Sequence, residues 1–150
     1  MKKKAVIILI CAAAAAAALW AAREYPEPSP VFESEPISDE IFARMYGKSY
    51  KEDCTVPREE LRYLRLSHYG FDGQIHEGEM VVNAAIADEV TEIFRELFEA
   101  RYPIEKMRLI DDYDADDESS MADNNSSAFN YRTISGTDKL SNHSRGMAID

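Results

Sequence analysis

Residues 84–101 carry a pattern that admits a single secondary structure, and that structure dictates what the rest of the chain has to supply. Ile86, Val90, Ile93, Phe94 and Leu97 recur at three- and four-residue spacing, which lines them up as one apolar stripe along a helix. Asn83 stands where an N-cap belongs, and Tyr102-Pro103 ends the run, because the residue before a proline is driven out of the helical region. A helix with one apolar side has to bury it against a second layer. The residues just before it provide that layer. Residues 61–82 read as two short alternating runs, Tyr63, Leu64 and Leu66 in the first and Ile75 to Val82 in the second, around a Gly70-Phe71-Asp72-Gly73 turn. That is the signature of a β-hairpin.

The remaining elements are shorter. Ser38 is placed to cap a helix with Asp39 and Glu40 in its first turn, Ile41, Phe42 and Met45 on one side, and Gly47 as its stop. Beyond the long helix, residues 104–110 are expected as a strand, and residues 111–127 as a solvated acidic loop with a helical turn near Glu118 to Ala122. Residues 128–132 are a second strand candidate. The order helix, hairpin, helix, strand, loop, strand predicts an α+β fold: a largely antiparallel sheet with flanking helices.

At 150 residues the chain has room for one such domain. Its first 22 residues stand apart. Met1-Lys2-Lys3-Lys4 is a basic head, and Ala5 to Ala22 is an unbroken apolar run closed by Arg23, the layout of a secretory signal peptide or of a membrane anchor through residues 5–22. Both place the rest of the chain outside the cytoplasm, secreted or held at the outer face of the membrane. Pro26, Pro28, Pro30 and Pro36 lie among Glu and Ser, so residues 23–36 read as an extended tether and residues 37–150 as the folded domain. Formal net charge is −11, and it becomes −14 if the three leader lysines are removed. Such a balance argues against nucleic acid or an anionic membrane surface as partner. Cys54 is the only cysteine outside the leader, which excludes an internal disulfide.

Three sets of residues invite a metal reading, and two are set aside. Asp112, Asp114 and Asp116 start like a calcium loop, but Asp117 stands where that loop needs glycine and Asp123 where it needs a bidentate glutamate. His68 and His76 both fall on the hairpin, at no spacing that pairs them, and read as structural histidines. The third set is residues 141–150. His143 and Asp150 offer a nitrogen and an oxygen suited to zinc, Gly146 permits a tight backbone turn between them, and Ser141 precedes the histidine by two positions. From spacing alone, a surface histidine and an unrelated aspartate account for these residues equally well.

Ser141-x-His143-x-x-Gly146-x-Ala148-x-Asp150 resembles the zinc-binding motif of the bacterial D-alanyl-D-alanine carboxypeptidases and dipeptidases of the VanY and VanX type, which cut peptidoglycan stem peptides. Asn125-Ser126-Ser127-Ala128-Phe129-Asn130-Tyr131-Arg132 is similar to the segment of that family that ends in Tyr-Arg, and residues 61–117 resemble its VanY-like branch. The resemblance implies the hedgehog-like peptidase fold, zinc as cofactor and stem peptides as substrate. It makes His143 and Asp150 the first two zinc ligands, Arg132 the catalytic cation that steadies the oxyanion, and Ser141 a substrate-binding residue. Family members carry a Glu-x-x-His segment beyond the aspartate, which supplies a general base and a third ligand. These 150 residues end at Asp150, so the expectation is a peptidase domain incomplete at its C-terminus. As a polypeptide it would be inactive or nearly so, because a catalytic zinc needs three protein ligands. The alternatives are a non-catalytic cell-wall-binding or interaction domain derived from such a peptidase, and a fragment that does not fold stably.

Overall fold

A computed structural model describes residues 29–150; the leader and the first part of the tether lie outside the described residues. Among the described residues, no helix is long and apolar enough to cross a membrane.

The centre is a three-stranded antiparallel sheet in the order β1-β2-β3, built from β1 (Phe32–Pro36), β2 (Leu61–Tyr69) and β3 (Ile75–Asn83). The hairpin is the one read from the sequence, with Leu64 opposite Met80 and Leu61 opposite Asn83. Its turn closes through Gly70 N–H to the Gln74 carbonyl at 2.8 Å and Gly73 N–H to the Gly70 carbonyl at 3.0 Å. Both faces of this sheet are covered, which explains why the runs are more apolar than simple alternation. On one face Leu64, Leu66, Met80 and Val82 pack with Val90 and Phe94 of helix α2 (Ala87–Glu99). On the other, Leu61 and Val81 pack with Met45 of helix α1 (Asp39–Met45) and with Leu109, Phe129 and Tyr131. The fold is therefore α+β with an antiparallel sheet between helices.

Ser38 caps α1 as expected, its hydroxyl accepting from Ile41 N–H at 3.2 Å. Helix α2 begins later than residue 84. Asn83 is the last residue of β3, and its side chain accepts from Ala85 N–H at 2.9 Å, so it caps a lead-in turn and not the helix itself. Ile93, placed on the stripe by its spacing, is 45% exposed.

Four further expectations are corrected. Residues 32–36, assigned to the tether, form β1: Phe32 pairs with Leu66, and its ring meets Phe98 edge-on with centroids 5.6 Å apart. The folded unit thus reaches further toward the N-terminus than residue 37. Glu33, Glu35 and the terminal Pro36 suit an edge strand, where one side of the backbone faces solvent. Residues 104–110 yield only β4 (Lys106–Met107), which pairs in parallel with β5 (Asn125–Ser126). The Asn125 side chain brackets Arg108, accepting from its N–H at 2.8 Å and donating to its carbonyl at 3.2 Å, which replaces a longer ladder. Residues 128–132 form no strand, because their N–H groups are shared among Val81, Ser49, His143 and Ser144. Nor is the acidic stretch solvated throughout. The helical turn expected near Glu118 to Ala122 is present as helix α3 (Asp117–Ala122), but Asp111 is buried, accepting from Ser49 N–H at 3.0 Å. Burial raises the Asp111 carboxyl above the usual carboxylate range, and the Ser49 hydrogen bonds oppose that rise.

Glu79 fastens α1 to the sheet. It takes both arms of Arg44, at 2.8 and 2.5 Å, and the Tyr63 hydroxyl at 2.7 Å. Burial alone would raise its carboxyl, but the hydrogen bonds from Arg44 and Tyr63 and the guanidinium charge hold it below its ordinary value. A depressed carboxylate stabilises the fold above its unfolded-state pKa, and that stability is lost as pH falls through and below the ordinary glutamate range. Glu79→Gln is expected to cost about 1–2 kcal/mol at neutral pH. The same substitution should flatten the acid limb of stability, measured by urea unfolding across pH.

Candidate metal centre

The motif residues are held by the edge of β3. Ser141 caps a 3-10 turn over Asn142–Arg145, its hydroxyl accepting from His143 N–H at 3.3 Å. The turn ends at Gly146 in the left-handed region, φ +65°, and the Gly146 carbonyl accepts from Asn83 N–H at 2.9 Å. A Cβ on Gly146 would stand 2.6 Å from the Asn83 nitrogen and 3.0 Å from the Val82 carbonyl carbon. Glycine is thus required twice over, by conformation and by close backbone approach.

Two adjacent carbonyls then set the two candidate ligands. Ser127 accepts from Asp150 N–H at 3.0 Å, and Ala128 accepts from His143 Nδ1 at 2.7 Å. Phe129 N–H in turn donates to the Val81 carbonyl at 2.9 Å, tying this segment to β3. Nδ1–H donates to the Ala128 carbonyl, which turns Nε2 toward Asp150. Nε2 lies 3.1 Å from Asp150 Oδ1. Two acceptor lone pairs cannot rest at that separation unless a proton or a cation lies between them. Donors bound to one tetrahedral zinc, at bond lengths of about 2.0–2.2 Å, sit roughly 3.3–3.6 Å apart, so a shared metal would need the pair to open by a few tenths of an ångström. His143 is largely buried and Asp150 about one-third exposed, leaving an open side. Among the described residues, no group of three or more His, Cys, Asp or Glu side chains forms a metal cluster.

Arg132 is fastened to the same turn by its backbone. Its N–H donates to Ser144 Oγ at 2.9 Å, the Ser144 hydroxyl donates to the Arg132 carbonyl at 2.5 Å, and Ser141 N–H donates to that carbonyl at 3.0 Å. Its side chain turns to Asp117, Nη2 to Oδ2 at 2.5 Å, while Nε is buried with no hydrogen-bond partner. Ser144, fully buried, and Asp117 were not legible as site residues. Ser144 lies between the histidine and the glycine of the motif, and Asp117 is 15 positions from its partner.

The other candidates lead elsewhere. His68 and His76 face each other across β2 and β3, with stacked rings 5.7 Å apart, which corrects the reading that no spacing pairs them; an antiparallel register does so. His76 Nε2 is 3.0 Å from Asp72, and burial pushes the His68 imidazole below its ordinary value. Asp112 goes to Arg44, Asp114 to Lys48, and Asp116 accepts from the Ser119 hydroxyl. Burial raises the Cys54 thiol, the opposite of what a reactive cysteine needs.

No protein-family model matches the chain, and no curated protein or solved structure matches it.

Proposed function

We propose that this chain carries the metal-binding part of a zinc peptidase of the VanY-like D-alanyl-D-alanine carboxypeptidase type, exported to act on peptidoglycan stem peptides. The observation that supports it best is the convergence of His143 Nε2 and Asp150 Oδ1 at 3.1 Å, with the imidazole tautomer fixed by the Ala128 carbonyl. The metal, when bound, supplies Lewis acidity to a scissile carbonyl and lowers the pKa of water at the site. His143 and Asp150 hold it on a rigid edge. Arg132 offers charged donors to the oxygen where negative charge develops, and Ser141, whose hydroxyl hydrogen is uncommitted within the turn, donates to a substrate oxygen.

A catalytic zinc takes three protein ligands. Residues 1–150 alone are therefore expected to hold zinc weakly and to release no D-alanine from a stem peptide. A longer polypeptide, in which Asp150 is followed by a Glu-x-x-His segment, is expected to release it, and His143→Ala to abolish the release. If that longer polypeptide at saturating zinc leaves stem peptides intact, the peptidase reading falls. In that event the second reading is a non-catalytic wall-binding domain, which peptidoglycan pull-down without cleavage would support.

A further inference from the structure

We infer that Asp117 is the positioning residue of Arg132, fixing the guanidinium as a preorganised donor for an oxyanion; this rests on the peptidase reading above. An arginine side chain is long and flexible, and a catalytic cation contributes most when its donors are already aimed before charge develops. Here both ends of the side chain are anchored. The backbone of Arg132 is clamped on its N–H and carbonyl sides by Ser144 and Ser141, and Nη2 is held at 2.5 Å by Asp117 Oδ2.

Asp117 is itself on a fixed element. It opens α3, whose Ser120 hydroxyl is buried and accepts from Asn125 Nδ2 at 3.0 Å, and Asn125 in turn brackets the backbone of Arg108. Both members of the pair are about one-quarter exposed, at 26% for Arg132 and 28% for Asp117. The pair is thus accessible from one side without being freely solvated. Nε is buried and makes no bond, so Asp117 supplies the side-chain hydrogen bond that fixes the plane of the guanidinium. The Nη1 hydrogens and the second Nη2 hydrogen are left for an incoming oxygen.

The test compares the zinc-saturated protein with its Asp117→Ala and Asp117→Glu variants by three readouts. Nitrogen NMR of the Arg132 guanidinium should show restricted rotation in the parent, averaging in Asp117→Ala and a partial return in Asp117→Glu. A phosphinate analogue of D-alanyl-D-alanine, which carries the tetrahedral oxyanion, should bind Asp117→Ala about 10-fold or more weakly, while N-acetyl-D-alanyl-D-alanine changes by less than about 3-fold. Thermal unfolding gauges a merely structural loss. Equal weakening of both ligands together with a large fall in Tm would overturn the positioning role, as would unchanged phosphinate binding. All variants are made in the longer polypeptide that carries the Glu-x-x-His segment; if neither ligand binds that zinc-saturated parent, the peptidase reading fails as well, and the pair is then a fastening between α3 and the motif turn.

Discussion

Replacing Gly146 with alanine is expected to destabilise the domain by about 2–4 kcal/mol and to lower Tm by on the order of 10 °C. Two costs add. At φ +65° an L-residue sits in the left-handed region, which disfavours a side chain by about 1–2 kcal/mol. The added Cβ would also meet the backbone of Asn83 and Val82 at 2.6 and 3.0 Å, and backbone in a central hairpin cannot swing aside as a side chain would. Relief has to come from the turn itself. Moving it stretches the bond from Asn83 N–H to the Gly146 carbonyl and shifts His143 relative to the Ala128 carbonyl. Zinc affinity should therefore fall together with stability. Valine, branched at Cβ, should be worse still. A Gly146→Ala protein whose Tm lies within about 2 °C of the parent would show that the turn does not rest against β3 as described.

His143→Ala and Asp150→Ala are each expected to weaken zinc binding by more than about 100-fold, the upper range for loss of a supporting contact being surpassed when a ligand itself is lost. The two variants should differ in their effect on folding. His143 is mostly buried and bonded to Ala128, so its removal leaves a gap and an unpaired carbonyl, whereas Asp150 is one-third exposed and keeps its backbone bond to Ser127 when truncated. Competition with a colorimetric chelator measures the affinity, and thermal unfolding measures the rest. Retention of parent affinity by either variant would remove that residue from the site.

Local chemistry was readable where one residue type decides the outcome. Ser38 before Asp39 and Glu40 marked a helix start, Gly70 to Gly73 marked a turn, and Val90, Phe94 and Leu97 marked the buried side of α2. The strand Phe32–Pro36 was hidden by Pro36 and the prolines just before it: composition pointed to a tether, and pairing with β2 across some thirty positions overrode it. Residues 104–110 and 128–132 misled for a related reason. Their apolar runs promised ladders, but Asn125 and the backbone of the motif turn took the hydrogen bonds that ladders would have used. In the site, the spacing of His143, Gly146 and Asp150 was visible, because turn geometry is local. Ala128 as the partner of Nδ1, Ser144 as the clamp on Arg132, and Asp117 as its counter-ion were not, since each is fixed only when distant segments meet on the edge of β3.

On the proposed reading, His143 Nε2 and Asp150 together face one divalent cation. The chain has three histidines, so long-range proton–nitrogen NMR of the imidazoles, recorded at neutral pH with and without zinc, addresses it directly. His143 should carry its hydrogen on Nδ1 in both spectra, zinc should shift its Nε2 into the metal-bound range, and Asp150→Ala should abolish that shift. Zinc that moves the nitrogens of His68 or His76 while leaving His143 unchanged would contradict the account.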